Sequence, residues 1–243
     1  MKKLFIAIAL LSVLGTASLC CGCGKNGTDT QPKQAVSEAY SPSIHWRVDT
    51  TGKYLNDANV KQIVTVQCDD KCGARVKMFE KTTVGEKNIW TETLSCDGII
   101  GLEGLGKTKE GDNKTPIGDF GILTAFGIKP NPGTKLPYVD VTPDTYCCGD
   151  EEYYNKIINA AELSHECPNG EHLIDYTPEY NYGLFIDYNK ECEPGKGSAI
   201  FFHCAGANTY TGGCVAVSEE NMVKIMNTLE PGARIIIDYI PGL

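Results

Sequence analysis

Residues 197–203, GSAIFFH, and residues 211–217, TGGCVAV, decide the fold of this chain. Each stretch contains a short apolar run, as buried strands do, and the two runs are predicted to form neighbouring strands. His203 ends the first run and Cys214 begins the second. The strand ends are therefore expected to bring an imidazole near a thiol, which is the minimum equipment of a cysteine nucleophile with its base.

Strand patterns also occur on both sides of this pair. The predicted strands cover residues 60–68, 74–81, 89–95, 117–126, 184–188, 199–203, 214–217 and 234–239. Alternation of apolar and polar residues indicates the first three, and Gly118 and Gly121 predict a bend in the fourth. We therefore predict a mainly β fold, a β-sandwich or barrel-like domain with a few short helices.

Two of these helices can be placed. Ser218 is expected to cap one helix, and its apolar face repeats at helical spacing. The residues of that face are Met222, Ile225, Met226 and Leu229. Asp150 is expected to cap a second helix over residues 151–161.

The beginning of the chain has the pattern of an export signal. Lys2 and Lys3 precede an apolar run that is too short to span a membrane, and small residues follow it. Residues 1–23 are predicted to be a lipoprotein-type signal, with Cys23 or Cys21 as the lipidated residue. Residues 24–57 are expected to be a flexible tether and lead-in. The folded domain, residues 58–243, is therefore expected outside the cell membrane, in the envelope, and held to the membrane by a lipid anchor.

The charge pattern excludes one class of partner. The chain has 22 basic and 31 acidic residues and a formal net charge of −9 at pH 7. No basic patch or run of lysine and arginine occurs in it, and nucleic-acid binding depends on such clustered positive charge. We expect no nucleic-acid partner, and we expect a monomer.

Twelve cysteines occur, and nine of them follow the signal segment. These nine are Cys68, Cys72, Cys96, Cys147, Cys148, Cys167, Cys192, Cys204 and Cys214. In an exported chain most cysteines are expected to form disulfides. Up to four disulfides would leave one thiol over, as a catalytic cysteine requires.

Several of these cysteines lie close to histidines in one part of the chain. The group consists of Cys147, Cys148, His165, Cys167, His172 and Cys192. A zinc site is one interpretation, but the tight Cys-x-x-Cys pairs of structural zinc sites do not occur. Disulfides in an inserted loop are the favoured interpretation, and neither a metal nor a cofactor is expected.

Four stretches, in this order along the chain, resemble the L,D-transpeptidases with a YkuD-type catalytic domain, in the ErfK/YbiS/YcfS/YnhG-like branch. They are residues 106–120 (GKTKEGDNKTPIGDF), 125–138, 182–189 and 197–217. The chain departs from this family at Gly212, where better-known members have a histidine, and at Ala216, where many have an arginine. The resemblance assigns residues 58–243 to the catalytic domain.

This resemblance implies a β-rich domain whose active site opens where the two motif strands end. It also implies peptidoglycan stem peptides as substrate. The bond between an L-configured centre and a terminal D-alanine would be cleaved, and the acyl group would pass to an amine of another stem peptide. In the family a backbone carbonyl orients the histidine.

The residue types suggest a catalytic or binding role for each candidate. Cys214 is the predicted nucleophile, and His203 is the base that takes its proton and later returns it. The backbone N–H groups of Gly213 and Cys214 are the predicted donors to the oxyanion. Thr211 and Gly212 are candidates for substrate contact. Asp187 is a candidate to orient His203, although a structural hydrogen bond at a strand end is favoured for it.

Other interpretations stay open. Cys214 could be a disulfide partner and His203 a buried core histidine, and Cys204 is a rival nucleophile on the opposite strand face. Lys107, Lys114 and Lys135 could meet a peptide carboxylate, but solvated loop lysines are the default. At the level of function the alternatives are an L,D-carboxypeptidase, a non-catalytic wall-binding lipoprotein, and a redox or metal-binding surface protein.

Overall fold

The computed structural model describes residues 50–68 and 71–239. The predicted signal segment, its candidate lipidation residues Cys21 and Cys23, and the predicted tether up to residue 49 lie outside the described residues. Within the described part, no helix has both the length and the apolar character that crossing a membrane requires.

Helix α1, Thr50–Leu55, begins the described structure. Tyr54 is buried in a small apolar cluster with Ile63 and Ile236, and its hydroxyl donates a hydrogen bond to Asp119 Oδ2 over 2.6 Å. The last residues of the predicted tether are therefore packed on the folded unit.

The described residues contain thirteen strands. They are β1 (Gln62–Cys68), β2 (Gly73–Val84), β3 (Lys87–Ile99), β4 (Gly118–Phe120), β5 (Ile122–Gly127), β6 (Tyr138–Asp140), β7 (Thr145–Cys148), β8 (Lys156–Asn159), β9 (Glu171–His172), β10 (Gly183–Ile186), β11 (Phe201–Cys204), β12 (Val215–Val217) and β13 (Arg234–Tyr239). Ten form one sheet in the order β4-β13-β1-β2-β3-β12-β11-β10-β5-β6, and β8-β7-β9 form a small second sheet. The predicted mainly β fold is confirmed, as are the predicted strands, whose bounds shift by a few residues.

The large sheet is rolled rather than flat. Strands β4 and β5 lie towards opposite ends of the strand order, yet Gly121 alone separates them along the chain. The two ends of the sheet must therefore meet at Gly121, as in a barrel-like fold. The Gly121 N–H donates to Asp187 Oδ1 over 2.7 Å, and Arg234 Nε donates to Asp119 Oδ1 over 2.8 Å between the neighbouring strands β13 and β4. Gly121 is also the predicted bend in the strand over residues 117–126.

The two motif strands are neighbours, as predicted. Strands β11 and β12 pair in parallel, with His203 opposite Ala216 and Phe202 opposite Val215. Because successive side chains of a strand point to opposite faces, His203 and Ala216 share one face of the sheet. Phe202 and Val215 belong to the main apolar core on the other face.

Helix α3, Glu219–Thr228, covers that core face of the sheet. Ser218 caps it, because its side chain accepts a hydrogen bond from the Asn221 N–H. The predicted apolar face is buried in the main core. Both the cap and the face predicted from the sequence are therefore confirmed.

The second predicted helix, over residues 151–161, is wrong. That segment contains a short 3-10 turn, Glu151–Tyr153, then strand β8, then the four-residue helix α2, Ala160–Leu163. Asn155 has a positive φ of 59°, which ends the turn, and residues of β8 pair with β7. The Asp150 side chain caps nothing. Strand pairing has therefore overridden the helical spacing of the apolar residues.

Shortening a buried side chain of α3 tests the packing of this core. Met226 is fully buried, so Met226→Ala is expected to lower the free energy of unfolding by about 2–5 kcal/mol. The measurement is urea unfolding followed by circular dichroism. Lys224→Ala on the same helix is the control, because its ion pair with Glu220 is exposed to solvent and such pairs contribute little to stability. Equal losses for the two variants would contradict the described packing.

Candidate active site

A cavity of about 330 Å³ opens where β11 and β12 end. Its lining includes His203, Thr211, Gly212, Cys214 and Ala216. The structure thus brings together four of the residues that were singled out from the sequence. Glu110, Glu171 and Glu179 also line it.

The Cys214 thiol is buried and held by the backbone of the chain opposite it. Its Sγ lies 3.2 Å from the Ala199 carbonyl oxygen, to which the thiol donates. The Phe201 N–H donates to the same sulfur over 3.3 Å. These contacts fix the sulfur at the floor of the cavity.

The protonation state of this thiol follows from its surroundings. Burial raises the pKa of Cys214 to about 12, and the negative charge of Glu171 acts in the same direction. The Phe201 N–H and the positive charge of Lys107 oppose this shift without cancelling it. At neutral pH the resting residue is therefore a thiol rather than a thiolate.

His203 has a fixed tautomer. Its Nδ1 lies 2.7 Å from the Cys204 carbonyl oxygen, and because a carbonyl can only accept, Nδ1 must carry the proton. Nε2 therefore keeps its lone pair as a base. Burial lowers the pKa of His203 to about 4, against smaller opposing effects of the Cys204 carbonyl and Glu179. The edge of the Tyr180 ring packs on the imidazole, with 5.3 Å between ring centroids.

Thr211 shapes the turn that presents Cys214. Its Oγ1 donates to the Cys214 carbonyl oxygen over 2.7 Å and accepts from the Gly213 N–H over 3.1 Å. Gly213 has a φ of +144°, and a Cβ there would lie 2.8 Å from the Lys114 carbonyl oxygen. Only glycine fits this position. Of the two predicted oxyanion donors, the Gly213 N–H thus already has an acceptor.

Gly212 borders open space. A Cβ built on it would meet no atom within 4 Å, and the residue lines the cavity. The cavity is therefore wider at this position than it would be with the histidine that the resemblance leads one to expect there.

Lys107 is not the solvated loop lysine that was expected by default. Its Nζ lies 3.0 Å from Asp112 Oδ1, and both side chains are nearly inaccessible, 2% and 7% exposed. Burial alone would raise the pKa of Asp112, but hydrogen bonds from Lys107 and the N–H groups of Thr108, Lys109 and Lys114 hold it well below its usual range. The loop before β4 is thus built around a buried ion pair that borders the cavity.

Three carboxylates on the cavity wall were not singled out from the sequence. Glu171 accepts a hydrogen bond from the Tyr180 hydroxyl over 2.6 Å, and burial raises its pKa. Glu110 accepts from Ser198 Oγ over 2.8 Å. Glu110 lies within the motif of residues 106–120, which could have drawn attention to it. Glu171 and Glu179 lie outside every recognised motif.

Two other candidates lie elsewhere. Asp187 accepts from the Gly121 N–H at the sheet seam, whereas the Cys204 carbonyl orients His203. Asp187 therefore has the structural hydrogen bond that was favoured for it. The Cys204 thiol belongs to the main core and contacts the Tyr182 carbonyl, on the opposite face from His203, as its strand position predicts.

The expected disulfides are not formed among the cysteines of the inserted loop. Cys147, Cys148, Cys167 and Cys192 are thiols in this structure, as is Cys214. Cys148 and Cys167 instead lie together with His165 and Asp150. His172 is not part of this group, because its Nδ1 faces Asp175 and its Nε2 faces the Pro143 carbonyl.

Comparison with known families agrees with this geometry. The family described as YkuD, the L,D-transpeptidase catalytic domain, matches residues 73–237. The chain belongs to this family. The match covers both motif strands and the cavity, and it supports L,D-transpeptidase activity for the catalytic domain. No curated protein matches the chain significantly.

A solved structure can be compared as well. It is the crystal structure of the helical cell shape determining protein Pgp2 from Campylobacter jejuni, with 16% sequence identity and a TM-score of 0.40. The alignment covers 80% of this chain and 56% of Pgp2, so the present chain spans little more than half the length of that protein.

The buried neutral state of His203 gives a prediction for stability. An unfolded histidine takes up a proton near pH 6.5, whereas the folded one stays neutral down to about pH 4. The unfolded state thus binds more protons in this window, and the free energy of unfolding falls as the pH decreases. Between pH 7 and pH 4.5 the wild type is expected to lose about 2–3 kcal/mol more than His203→Gln. Urea unfolding at both pH values measures this, and parallel losses in the two proteins would contradict it.

Proposed function

We propose that this protein is a peptidoglycan L,D-transpeptidase in which Cys214 is the nucleophile and His203 is the general base. The observation that carries the proposal is the shared cavity of Cys214 and His203, in which the Nδ1–H contact with the Cys204 carbonyl keeps the imidazole a base at Nε2. Membership of the family supplies the reaction class.

The first half-reaction forms a thioester. Cys214 Sγ attacks the carbonyl carbon of the L-configured stem-peptide residue while its proton passes to His203 Nε2. The Cys214 N–H is the proposed oxyanion donor, since Thr211 already engages the Gly213 N–H. Collapse of the tetrahedral intermediate breaks the amide bond, and Nε2 returns the proton to the departing amine of D-alanine.

The second half-reaction consumes the thioester. An amine of another stem peptide attacks the acyl carbon, gives a proton to His203 Nε2, and displaces the Cys214 sulfur, which regains the proton. Glu110, Glu171 and Glu179 line the cavity, and ionised carboxylates would attract an acceptor ammonium group, which must lose a proton to solvent before it attacks as the neutral amine. The nearby positive charge of Lys107 is countered by its ion pair with Asp112. Attack by water would give an L,D-carboxypeptidase instead.

We also propose that the protein is exported and attached to the membrane by a lipid. The lysine pair and apolar run at the start of the sequence support export, and Cys23 or Cys21 is the proposed lipid attachment residue. A membrane-anchored monomer in the envelope would meet peptidoglycan strands without needing nucleic acid, a metal or a cofactor for the acyl transfer.

Intact mass spectrometry tests the acyl-enzyme directly. After incubation with a muropeptide that carries a tetrapeptide stem, the wild type is expected to gain the mass of the acyl group, and Cys214→Ala is expected to gain none. His203→Gln is expected to form the adduct about 10²–10⁴-fold more slowly, because proton transfer is lost. Cys204→Ala serves as the matched control and should acylate like the wild type.

The products then identify the acceptor. A cross-linked dimer indicates a transpeptidase, whereas a tripeptide stem alone indicates a carboxypeptidase. An adduct that persists in Cys214→Ala would refute Cys214 as the nucleophile. The absence of any adduct on folded protein with a free Cys214 thiol would favour the non-catalytic wall-binding alternative.

The raised pKa of Cys214 predicts that its resting thiol reacts slowly with alkylating reagents. Iodoacetamide reacts with thiolates, so at pH 7 Cys214 is expected to be alkylated more slowly than free cysteine, whose pKa is about 8.5. Peptide mass mapping over time measures the rate, with the partly exposed Cys72 as an internal control. If Cys214 were alkylated faster than free cysteine at pH 6, the residue would be a thiolate at rest. That result would contradict the neutral states of Cys214 and His203.

A further inference from the structure

Four side chains of metal-ligand type converge outside the active site, in the cysteine insert, which we define as residues 144–172. They are Cys148, Asp150, His165 and Cys167, and their ligand atoms all lie within 4.8 Å of one another. Cys148 Sγ is 3.6 Å from His165 Nε2 and 3.8 Å from Asp150 Oδ2. His165 Nε2 is 3.3 Å from Asp150 Oδ2. In sequence the group is two short pairs, Cys-x-Asp and His-x-Cys.

The three distances among Cys148, Asp150 and His165 match edges of a zinc-sized tetrahedron, and Cys167 Sγ lies within 4.8 Å of each of their ligand atoms. With Zn–S bonds of about 2.3 Å and Zn–N or Zn–O bonds of about 2.0–2.2 Å, tetrahedral ligand atoms lie about 3.4–3.8 Å apart. Two thiolates and an imidazole favour zinc over calcium or magnesium, which prefer oxygen ligands. The donor set and its spacing therefore fit one metal class.

Neighbouring groups hold the ligands in place. Asn169 Nδ2 donates to Asp150 Oδ1 over 2.7 Å, which leaves Oδ2 pointing at the other ligands. The loops approach so closely that a Cβ on Gly149 would lie 2.0 Å from the Asn169 carbonyl oxygen. Such contacts around the ligands are typical of built metal sites.

The cysteine insert packs on the cavity wall through Cys147, but the part that carries the four ligands has only a small core. Its own apolar cluster contains only Cys148, Ile158 and Cys167 as buried members among the described residues. Helix α2 has four residues and β9 has two. Segments with so small a core usually need a disulfide or a metal.

We propose that Cys148, Asp150, His165 and Cys167 bind a structural Zn²⁺ ion. Binding converts both thiols to thiolates and releases two protons, while the aspartate binds as the anion and the histidine as the neutral imidazole. The ion has four protein ligands and no open position, as structural zinc sites do. This site lies outside the acyl-transfer chemistry and does not depend on it.

The ion would also support one wall of the active-site cavity. In β7 the side chains alternate, so Cys148 faces the ligand group while Cys147 packs with Tyr180 and Cys214. Glu171, in β9 next to β7, pairs with Cys147 and lines the cavity. Holding Cys148 and Cys167 together therefore fixes the strand pair that carries Glu171.

Zinc content of the full chain, purified under reducing conditions, tests the proposal. The wild type is expected to retain about one equivalent of zinc by mass spectrometry of the metal, and the Cys148→Ser, Cys167→Ser double variant is expected to lose it. Cys72→Ser is the matched control and should retain zinc. Exchange with Co²⁺ should give thiolate charge-transfer absorption in the wild type and in Cys72→Ser but not in the double variant, and Zn²⁺ should protect Cys148 and Cys167 from alkylation.

Asp150→Asn keeps the size of the side chain. It tests the site independently if the double variant does not fold. It is expected to weaken zinc retention in competition with a chelator by at least the factor of about 10–100 that loss of an outer-shell partner costs, while the circular dichroism spectrum stays unchanged. Three results would overturn the proposal: no uptake of added Zn²⁺ by the reduced wild type, equal uptake by the folded double variant, or a Cys148–Cys167 disulfide in protein isolated without reductant that persists when Zn²⁺ and reductant are supplied.

Discussion

The parallel pairing of β11 with β12 is the constraint on which the site depends. Its register sets His203 opposite Ala216 and brings the Phe201 N–H to the Cys214 sulfur. A slip of one residue would turn His203 into the main core and Phe202 into the cavity. The packing of Phe202 and Val215 on the other face therefore maintains the geometry of the candidate site as well as the fold.

Burial at this pair determines its chemistry. Desolvation disfavours both charged forms, so it raises the pKa of Cys214 and lowers that of His203. The resting cavity therefore holds a neutral thiol and a neutral imidazole at neutral pH. The loop ion pair of Lys107 and Asp112 places a compensated charge beside this site, which shapes the wall without forcing the cysteine to ionise.

Local patterns predicted most strands and the Ser218 cap, because each depends on neighbours in sequence, and they placed His203 and Cys214 at the ends of neighbouring strands. The remaining features depend on distant contacts. Ile157 and Ile158 lie in the segment predicted to be a helix, but they belong to a strand that pairs with β7. The burial of Lys107 depends on Gly197, where a Cβ would lie 2.4 Å from the lysine side chain. Glu171 reaches the cavity only through β9, which no periodic pattern in the sequence indicates.

The order of strands also determines when the chain can fold during its synthesis. Strand β13, the latest in the described sequence, lies between β4 and β1 in the sheet, and Ile63 near the start pairs with Arg234 near the end. Such distant pairings slow folding because a long loop must close first. A nascent chain that has not yet released β13 lacks a strand from inside its sheet. The sheet can therefore close only after β13 has emerged from the ribosome.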